Sequence, residues 1–189
     1  NKWKKQSEIC NKDQKINIFN LGIGGSYEGP KLLLECFNRP FGYSEREKTN
    51  FNFDFITGSD PKEFLTKTNN LDPKNTFFIV SSKSFNTDET IKNLEQAQSW
   101  SLNNSHFIAI TSNPEKAKQY GIQQVITFDK EIGGRYSIWS DIAVPAFLDT
   151  NFEPDNFLMG GNQADLDLQN NKKYIEFVKT LSYSDIWLN

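Results

Sequence analysis

Five short apolar segments, separated by segments with helix signals, constrain the fold of this 189-residue chain more than any other feature. The first, third and fourth are almost continuously apolar, which is typical of strands that are covered on both faces. Strands that alternate with helices favour a parallel sheet. The sequence therefore predicts an α/β fold, a three-layer α-β-α sandwich with a five-stranded parallel sheet. The predicted strands are residues 16–21, 51–57, 76–81, 107–111 and 125–128.

Several of the predicted helices carry apolar side chains that we expect to face the core. The pair Asp60-Pro61 is a typical helix start, and we expect Phe64 and Leu65 to face inward from that helix. Residues 137–148 and 172–181 form apolar stretches that predict two helices packed on the sheet, the first of them kinked or shortened by Pro145.

Two more helices are predicted from their end signals. Asn86 with Glu89 three residues later fits a capping box, in which each side chain bonds the other residue's amide. Asn113-Pro114 is a typical helix start, and Gly121 is a typical residue just past a helix end. These positions place helices directly after the third and fourth predicted strands.

The bulk charge and hydropathy argue against several classes of partner. The net charge is −3, which gives no electrostatic reason to bind nucleic acid or an anionic membrane. No apolar run approaches the roughly 20 residues needed to cross a bilayer. Any anion must therefore be bound by a local site, and we predict neither a nucleic-acid partner nor a membrane partner.

The cysteines and the one histidine predict no metal site. Cys10 and Cys36 form neither a disulfide framework nor a metal-binding spacing, so we read both as reduced thiols of a cytoplasmic protein. His106 has no second histidine or cysteine cluster near it in the sequence. We therefore expect no metal and no organic cofactor, and we assign His106 no chemical role.

The length favours one domain, with residues 16–150 as its core and residues 151–189 as a helical extension. The chain has a single methionine, Met159, and ends on an apolar cluster at residues 186–188. We read these features as those of a piece cut from a longer polypeptide.

A glycine turn follows the first predicted strand, at Gly22-Ile23-Gly24-Gly25-Ser26. Glycine permits tight turns and a close approach of the backbone to a ligand. Binding of a dinucleotide would require a third glycine where Tyr27 stands and an acidic residue at the end of the second strand. The turn therefore indicates either a purely structural turn or a ligand-binding turn, and it disfavours NAD.

A hydroxyl-rich loop joins the third predicted strand to its helix. Unpaired amides at a helix N-terminus and the positive end of the helix dipole bind anions such as phosphate. The alternative interpretation is an ordinary capped turn, since Ser, Asn and Thr favour helix starts. One cap explains one hydroxyl but not several beside a lysine, so we favour a phosphate site. Its residues are Ser82, Lys83, Ser84, Phe85, Asn86 and Thr87.

The third candidate segment is Gly133-Gly134-Arg135-Tyr136-Ser137, which follows the fifth predicted strand. Two glycines ahead of an arginine can bring the backbone close to a ligand and direct a permanently charged group with five N–H donors into a cleft. The alternative is a surface arginine after a flexible turn. Ligands of open α/β sheets bind at the carboxyl ends of the strands, and this position favours a ligand-facing Arg135.

These three blocks, in this order and at these separations, resemble those of the phosphoglucose isomerase family. The block at residues 133–137 is a specific signature of that family, whereas the glycine turn alone is not. The resemblance extends from about residue 16 to residue 164. It implies a sugar isomerase (SIS) domain, a flavodoxin-like or Rossmann-like arrangement. At two loop positions, Ser84 and Asn86, the chain has other residues where the family usually has threonine.

The resemblance implies an aldose–ketose isomerase that interconverts glucose 6-phosphate and fructose 6-phosphate, in glycolysis and gluconeogenesis. It places Gly25 and Ser26 at the sugar, residues 82–87 at the phosphate, and Arg135 at the negative charge of a cis-enediolate intermediate. The family's glutamate base, ring-opening histidine and lysine lie in a second SIS domain, for which the sequence offers no counterpart.

The family works as a homodimer, because the histidine comes from the partner subunit. We therefore expect this chain alone to bind sugar phosphate without catalysing its isomerisation. The alternative hypothesis is a non-catalytic SIS domain that binds or senses sugar phosphates, which would not need the arginine block.

Overall fold

A computed structural model describes residues 15–38, 51–58, 60–101, 103–148 and 153–188. The chain divides into two compact units, Asn1–Asn151 and Phe152–Asn189. The first unit contains a five-stranded sheet in which every neighbouring pair of strands is parallel. Helices flank the sheet, so the predicted α/β fold is confirmed. The strands are β1 (Ile16–Leu21), β2 (Phe51–Ile56), β3 (Thr76–Ser81), β4 (Phe107–Thr111) and β5 (Gln124–Thr127).

The strand order β2-β1-β3-β4-β5 determines where the loops of the sheet meet. β1 pairs with β2 on one side and with β3 on the other, so the chain winds in opposite directions from this point. In the register, Leu21 lies opposite Val80, and Ser81 lies opposite Ile110. The carboxyl ends of β1, β3 and β4 therefore lie side by side, where open α/β sheets bind their ligands.

Each face of the sheet carries its own apolar core. One buried cluster joins β-strand residues such as Phe78 and Val80 to Phe64, Leu94 and Ala117 of three helices. A second cluster lies on the other face of the same strands. It consists of the strand residues Ile16, Ile18, Phe53, Phe55, Phe77, Ile79 and Ile110 together with Phe128 and Ile142. Strands covered on both faces explain why every residue of β1, β3 and β4 is buried and why most of them are apolar.

In the described part of this unit, four α-helices connect or flank the strands: α1 (Glu28–Asn38), α2 (Pro61–Thr68), α3 (Asp88–Ser101) and α4 (Pro114–Gln119). The predicted start of α2 is confirmed, since the Asp60 carboxylate accepts the amide of Lys62 at 2.9 Å. Both predicted ends of α4 are confirmed as well. The Asn113 side chain accepts the amide of Lys116, and Gly121 beyond the helix has φ = +80°.

Leu65 does not face the core, contrary to the sequence prediction. Phe64 is 1% exposed, whereas Leu65 is 58% exposed. In α2 the buried positions are Phe64 and Thr68, four residues apart, so they lie on one face of the helix. Leu65 is the next residue along and projects from a different side of the helix.

The start of α3 lies one residue later than the predicted capping box requires. The helix begins at Asp88, and the amide of Ile91 donates to the carbonyl of Thr87 at 3.0 Å. The residue whose carbonyl accepts the first helical bond is the N-cap, so that residue is Thr87 and not Asn86.

Residues 137–148 form no α-helix, which corrects another prediction. They contain parts of two 3₁₀ helices, Gly134–Trp139 and Val144–Phe147, separated by a turn. The hydroxyls of Ser137 and Ser140 donate to carbonyls three residues back, at 2.7 Å each. Such local bonds compete with an α-helix, and the lack of an amide on Pro145 removes another helical bond. The predicted packing on the sheet is confirmed by Ile142, which is 1% exposed.

The second unit consists of two helices, α5 (Pro154–Asn170) and α6 (Lys172–Leu188). The helix predicted over residues 172–181 is confirmed within α6, but most of its large apolar side chains are exposed and not buried as predicted, Phe177 among them. Met159 of α5 and Trp187 of α6 are exposed as well. No described helix combines the length and the apolar composition that a membrane span requires.

Candidate functional site

The loop that follows β3 is folded on itself by its first serine. The amide of Ser82 donates to the carbonyl of Ile110 at 3.1 Å, which continues the pairing of β3 with β4. The Ser82 hydroxyl oxygen accepts the amide of Phe85 at 3.2 Å, and Ser82 is buried. Ser82 therefore shapes the loop, and its hydroxyl proton stays available for a further acceptor.

Phe85 anchors the loop through its ring. Its side chain is fully buried and packs against Tyr120, with ring centroids 5.9 Å apart. Its φ is +54°, a left-handed conformation that a bulky residue adopts only when its surroundings hold it there. Of the predicted binding residues, Phe85 can therefore offer a ligand its backbone but not its ring.

The neighbouring residues of the loop turn their carbonyls toward β4. The Lys83 carbonyl accepts the amide of Ser112 at 3.0 Å and the hydroxyl of Thr111 at 3.1 Å. The Ser84 carbonyl accepts the side-chain amide of Asn113 at 3.4 Å. The side chains of Lys83 and Ser84 are exposed.

Several amides of this loop are unpaired within the described part of the chain. The amides of Ser84, Asn86 and Thr87 have no hydrogen-bond partner there, and the first amides of α3 are unpaired as at any helix start. Unpaired amides, a helix N-terminus and the exposed Lys83 together form an environment that favours an anion.

The structure adds Thr90, which the sequence analysis did not single out. Thr90 lies in the first turn of α3 and is 1% exposed, yet its hydroxyl has no hydrogen-bond partner among the described residues. Side chains of a helix tilt toward its N-terminus, so this hydroxyl lies on the loop side of α3. In the sequence, Thr90 is only a threonine three residues after Thr87, and nothing there distinguishes it from any other helical threonine.

The glycine turn after β1 is bonded to the end of β3 through one buried side chain. Asn20, 1% exposed, accepts the hydroxyl of Ser81 at 2.6 Å and donates to the carbonyl of Ser26 at 2.9 Å. A Cβ atom on Gly22 would lie 2.8 Å from the carbonyl oxygen of Ser81, so the turn also needs glycine at that position. The structure thus brings the glycine turn next to the hydroxyl loop.

The arginine block packs on the other side of the same turn. A Cβ atom on Gly25 would lie 2.1 Å from the carbonyl oxygen of Gly134. The Ser137 hydroxyl donates to that same carbonyl at 2.7 Å. The glycine turn therefore touches the arginine block and Ser81, the residue just before the hydroxyl loop, and close backbone packing accounts for Gly25 as fully as a ligand would.

Arg135 lies in the 3₁₀ helix Gly134–Trp139, next to the glycine turn. Its side chain is exposed, and none of the ion pairs among the described residues involves it. The guanidinium is therefore available to a ligand, while its backbone is fixed by the contact of Gly134 with Gly25.

Tyr27, the residue that breaks the dinucleotide fingerprint, has a structural role. Its ring packs edge-on against Phe55 at 5.2 Å, and its hydroxyl accepts Lys31 Nζ at 2.6 Å. This hydrogen bond to Tyr27 raises the pKa of Lys31. In the described ranges, no three His, Cys, Asp or Glu side chains come together as metal ligands would.

The family profile described as phosphoglucose isomerase matches residues 3–189. The glucose-6-phosphate isomerase of Hahella chejuensis is 34% identical over an alignment of 158 residues, and the match covers 78% of this chain and 27% of that protein. That of Ectopseudomonas mendocina is 39% identical over 156 residues, 77% of this chain and 26% of that protein. The chain thus spans about a quarter of the length of these relatives.

Solved structures with a similar fold include a member of the same family. A crystal structure of a glucose-6-phosphate isomerase from Chlamydia trachomatis has a TM-score of 0.70 and 26% identity, covering 82% of this chain and 30% of that one. A hypothetical protein from Thermus thermophilus has a TM-score of 0.71 and 25% identity, covering 88% of this chain and 39% of that one. The chain belongs to the phosphoglucose isomerase family.

Proposed function

We propose that this chain is the phosphate-binding domain of a glucose-6-phosphate isomerase. In that role it binds glucose 6-phosphate and fructose 6-phosphate and contributes to their interconversion in glycolysis and gluconeogenesis. The observation that carries the proposal is the set of unpaired amides at Ser84, Asn86 and Thr87, directly ahead of α3. Membership of the phosphoglucose isomerase family supports the choice of a sugar phosphate over other anions.

The phosphate is bound by residues 82–87. The amides supply directed donors, the hydroxyls of Ser84 and Thr87 add two more, and Lys83 supplies charge. Hydrogen bonds to a charged acceptor are roughly twice as strong as neutral ones, so such a loop can hold a dianion without a metal. The buried hydroxyl of Thr90 is a further donor on the same side of the helix.

The sugar lies toward the glycine turn and the arginine block. Gly25 and Ser26 contact it, and Arg135 stabilises the negative charge of the cis-enediol(ate) intermediate. Fixed positive charge near a developing oxyanion lowers the barrier because the protein need not reorganise during the reaction. The exposed guanidinium, on a backbone held against the glycine turn, is consistent with this role.

Aldose–ketose isomerisation moves a proton between carbon 1 and carbon 2, which requires a base. We propose that this base comes from outside these 189 residues, together with the ring-opening histidine and the lysine of the family. The chain spans about a quarter of its relatives, which is in keeping with a divided site. On this proposal the 189 residues bind but do not catalyse, and the whole enzyme is a cytoplasmic homodimer.

An NMR titration tests the proposal. With inorganic phosphate, amide shifts should centre on residues 82–87; with glucose 6-phosphate, Gly25, Ser26 and Arg135 should respond as well. The double variant Ser84→Ala, Thr87→Ala should weaken binding by about 1–3 kcal/mol, since it removes two hydrogen bonds to a charged group. Shifts scattered elsewhere, or an isomerase rate in this chain free of contaminating enzyme, would contradict it.

A further inference from the structure

The end of β4 and the residues just after it bind the backbone carbonyls of the hydroxyl loop. The carbonyl oxygen of Lys83 accepts two hydrogen bonds, from the hydroxyl of Thr111 at 3.1 Å and from the amide of Ser112 at 3.0 Å. A carbonyl oxygen has two lone pairs, so both are used. The direction of this carbonyl is therefore fixed by β4, not by the loop to which it belongs.

A fixed carbonyl also fixes the amide on the same peptide. The peptide bond is planar and trans, so the C=O of one residue and the N–H of the next point in opposite directions. Because the Lys83 carbonyl points toward β4, the amide of Ser84 must point away from it. That amide is one of those without a partner in the described part of the loop.

Thr111 is itself held in place at both ends of its hydroxyl. It is fully buried, it donates to the Lys83 carbonyl, and its oxygen accepts the amide of Asn113 at 3.0 Å. Asn113 in turn donates to the Ser84 carbonyl at 3.4 Å while capping α4. The single proton of the Thr111 hydroxyl is therefore already used. The hydroxyl cannot turn to donate to a ligand without breaking its bond to the Lys83 carbonyl.

We propose that Thr111 is a positioning residue of the phosphate site, which holds the Ser84 amide in the direction that an anion needs. This inference rests on the proposed function, because it assumes that residues 82–87 bind phosphate. Thr111 itself touches no ligand. Asn113 acts on the next peptide instead, because the Ser84 carbonyl that it bonds shares a peptide with the Phe85 amide, which already donates to the Ser82 hydroxyl oxygen.

The decisive variant is Thr111→Val, which keeps the shape and the β-branch but removes the hydroxyl. In the 189-residue chain, the Kd for inorganic phosphate should rise about 3- to 10-fold, the effect of one lost hydrogen bond. The Ser84 amide resonance should move even without ligand. Thr111→Ser should restore both the resonance and the affinity, because it keeps the hydroxyl.

Thr76→Val is a matched control at the opposite end of the sheet. Thr76 is also a fully buried strand threonine, and its hydroxyl donates to the carbonyl of Asp72 at 2.9 Å. Its loss should lower stability without changing the phosphate Kd or the Ser84 resonance. A purely structural role for Thr111 would make the two variants behave alike.

The outcomes separate the inference from the function on which it rests. If the unchanged protein binds phosphate and Thr111→Val binds it equally well, the positioning role is overturned and the phosphate site stands. If the unchanged protein shows no phosphate shifts at residues 82–87, both are overturned. Should Thr111→Val fail to fold, Thr111→Ala removes the same hydroxyl and introduces no new methyl group. A phosphate Kd about 3- to 10-fold higher supports the role, and an unchanged Kd overturns it.

Discussion

Gly25 and Gly134, 109 positions apart in the sequence, are in backbone contact so close that a single Cβ atom on Gly25 would lie 2.1 Å from the Gly134 carbonyl oxygen. That carbonyl is held by the Ser137 hydroxyl at 2.7 Å, so it cannot move aside freely. The contact joins the glycine turn after β1 to the segment that carries Arg135. Two of the three candidate segments are therefore positioned by one pair of glycines.

We predict that Gly25→Ala lowers the free energy of unfolding by about 1–3 kcal/mol, the usual cost of overpacking a tight contact. Gly134→Ala is the matched control, because a Cβ atom there meets nothing within 4 Å. The control should change stability by less than about 0.5 kcal/mol. Urea unfolding of both variants measures the difference; equal stabilities would show that the backbones are not in contact.

We predict that Asn20→Asp is strongly destabilising, whereas Asn17→Asp on the same strand is less so. The side-chain amide of Asn20 must donate to the Ser26 carbonyl, and a carboxylate there would face an acceptor. Asn17 uses its oxygen to accept Asn52 Nδ2 at 3.2 Å, and a carboxylate keeps that bond. We expect a loss of about 2–4 kcal/mol for Asn20→Asp at pH 7.

The stability of the Asn20→Asp variant should also depend on pH. A carboxyl group buried beside a carbonyl has its pKa raised in the folded state, since only the protonated form can donate. Folding then takes up a proton, and the variant loses stability as the pH rises above the unfolded value of about 3.9. The deficit of Asn20→Asp relative to the unchanged protein should therefore shrink when urea unfolding is repeated near pH 4.5. A deficit that grows on acidification would contradict the assigned direction of the amide.

The strands and their loops could be predicted from sequence because their signals are local. Apolar runs and turn residues placed all five strands within about one residue, and they placed the three candidate segments at strand ends. The contact between Gly25 and Gly134 could not be predicted, because a long-range approach of two backbones leaves only glycines in the sequence. The buried hydroxyl of Thr90 likewise has no local signal.

The errors in the helices also have physical causes. Leu65 and Phe64 are adjacent apolar residues, and only the packing of α2 decides which one is buried. Residues 137–148 have an apolar pattern typical of a helix, but serine hydroxyls bonded to the backbone replace it with 3₁₀ turns. Tertiary packing decided which residue of α2 is buried, and local hydrogen bonds overrode the apolar pattern of residues 137–148.

We predict that Phe64→Ala and Leu65→Ala differ strongly although the residues are neighbours. Phe64 is buried and stacks on Phe78, with ring centroids 6.2 Å apart, so its truncation should cost about 3–5 kcal/mol. Leu65 is exposed, so its truncation should change stability by less than about 0.5 kcal/mol. Thermal unfolding measures both. A large loss for Leu65→Ala would mean that the sequence prediction was correct and that α2 is rotated.

We predict that Arg135→Ala weakens binding of glucose 6-phosphate without changing stability. Its side chain is exposed and belongs to no ion pair among the described residues, so the fold loses little when it is removed. One hydrogen bond to the sugar corresponds to about a 5-fold rise in Kd. Inorganic phosphate should be affected less than about 2-fold at roughly 0.15 M salt, because on the proposed arrangement the exposed guanidinium bonds the sugar and not the phosphate, and exposed charges are screened by salt. Lys130→Ala, which removes an equal charge from an exposed neighbour, controls for net charge and should leave both affinities unchanged. If Arg135→Ala weakens the two ligands equally, the guanidinium acts on the phosphate and not on the sugar.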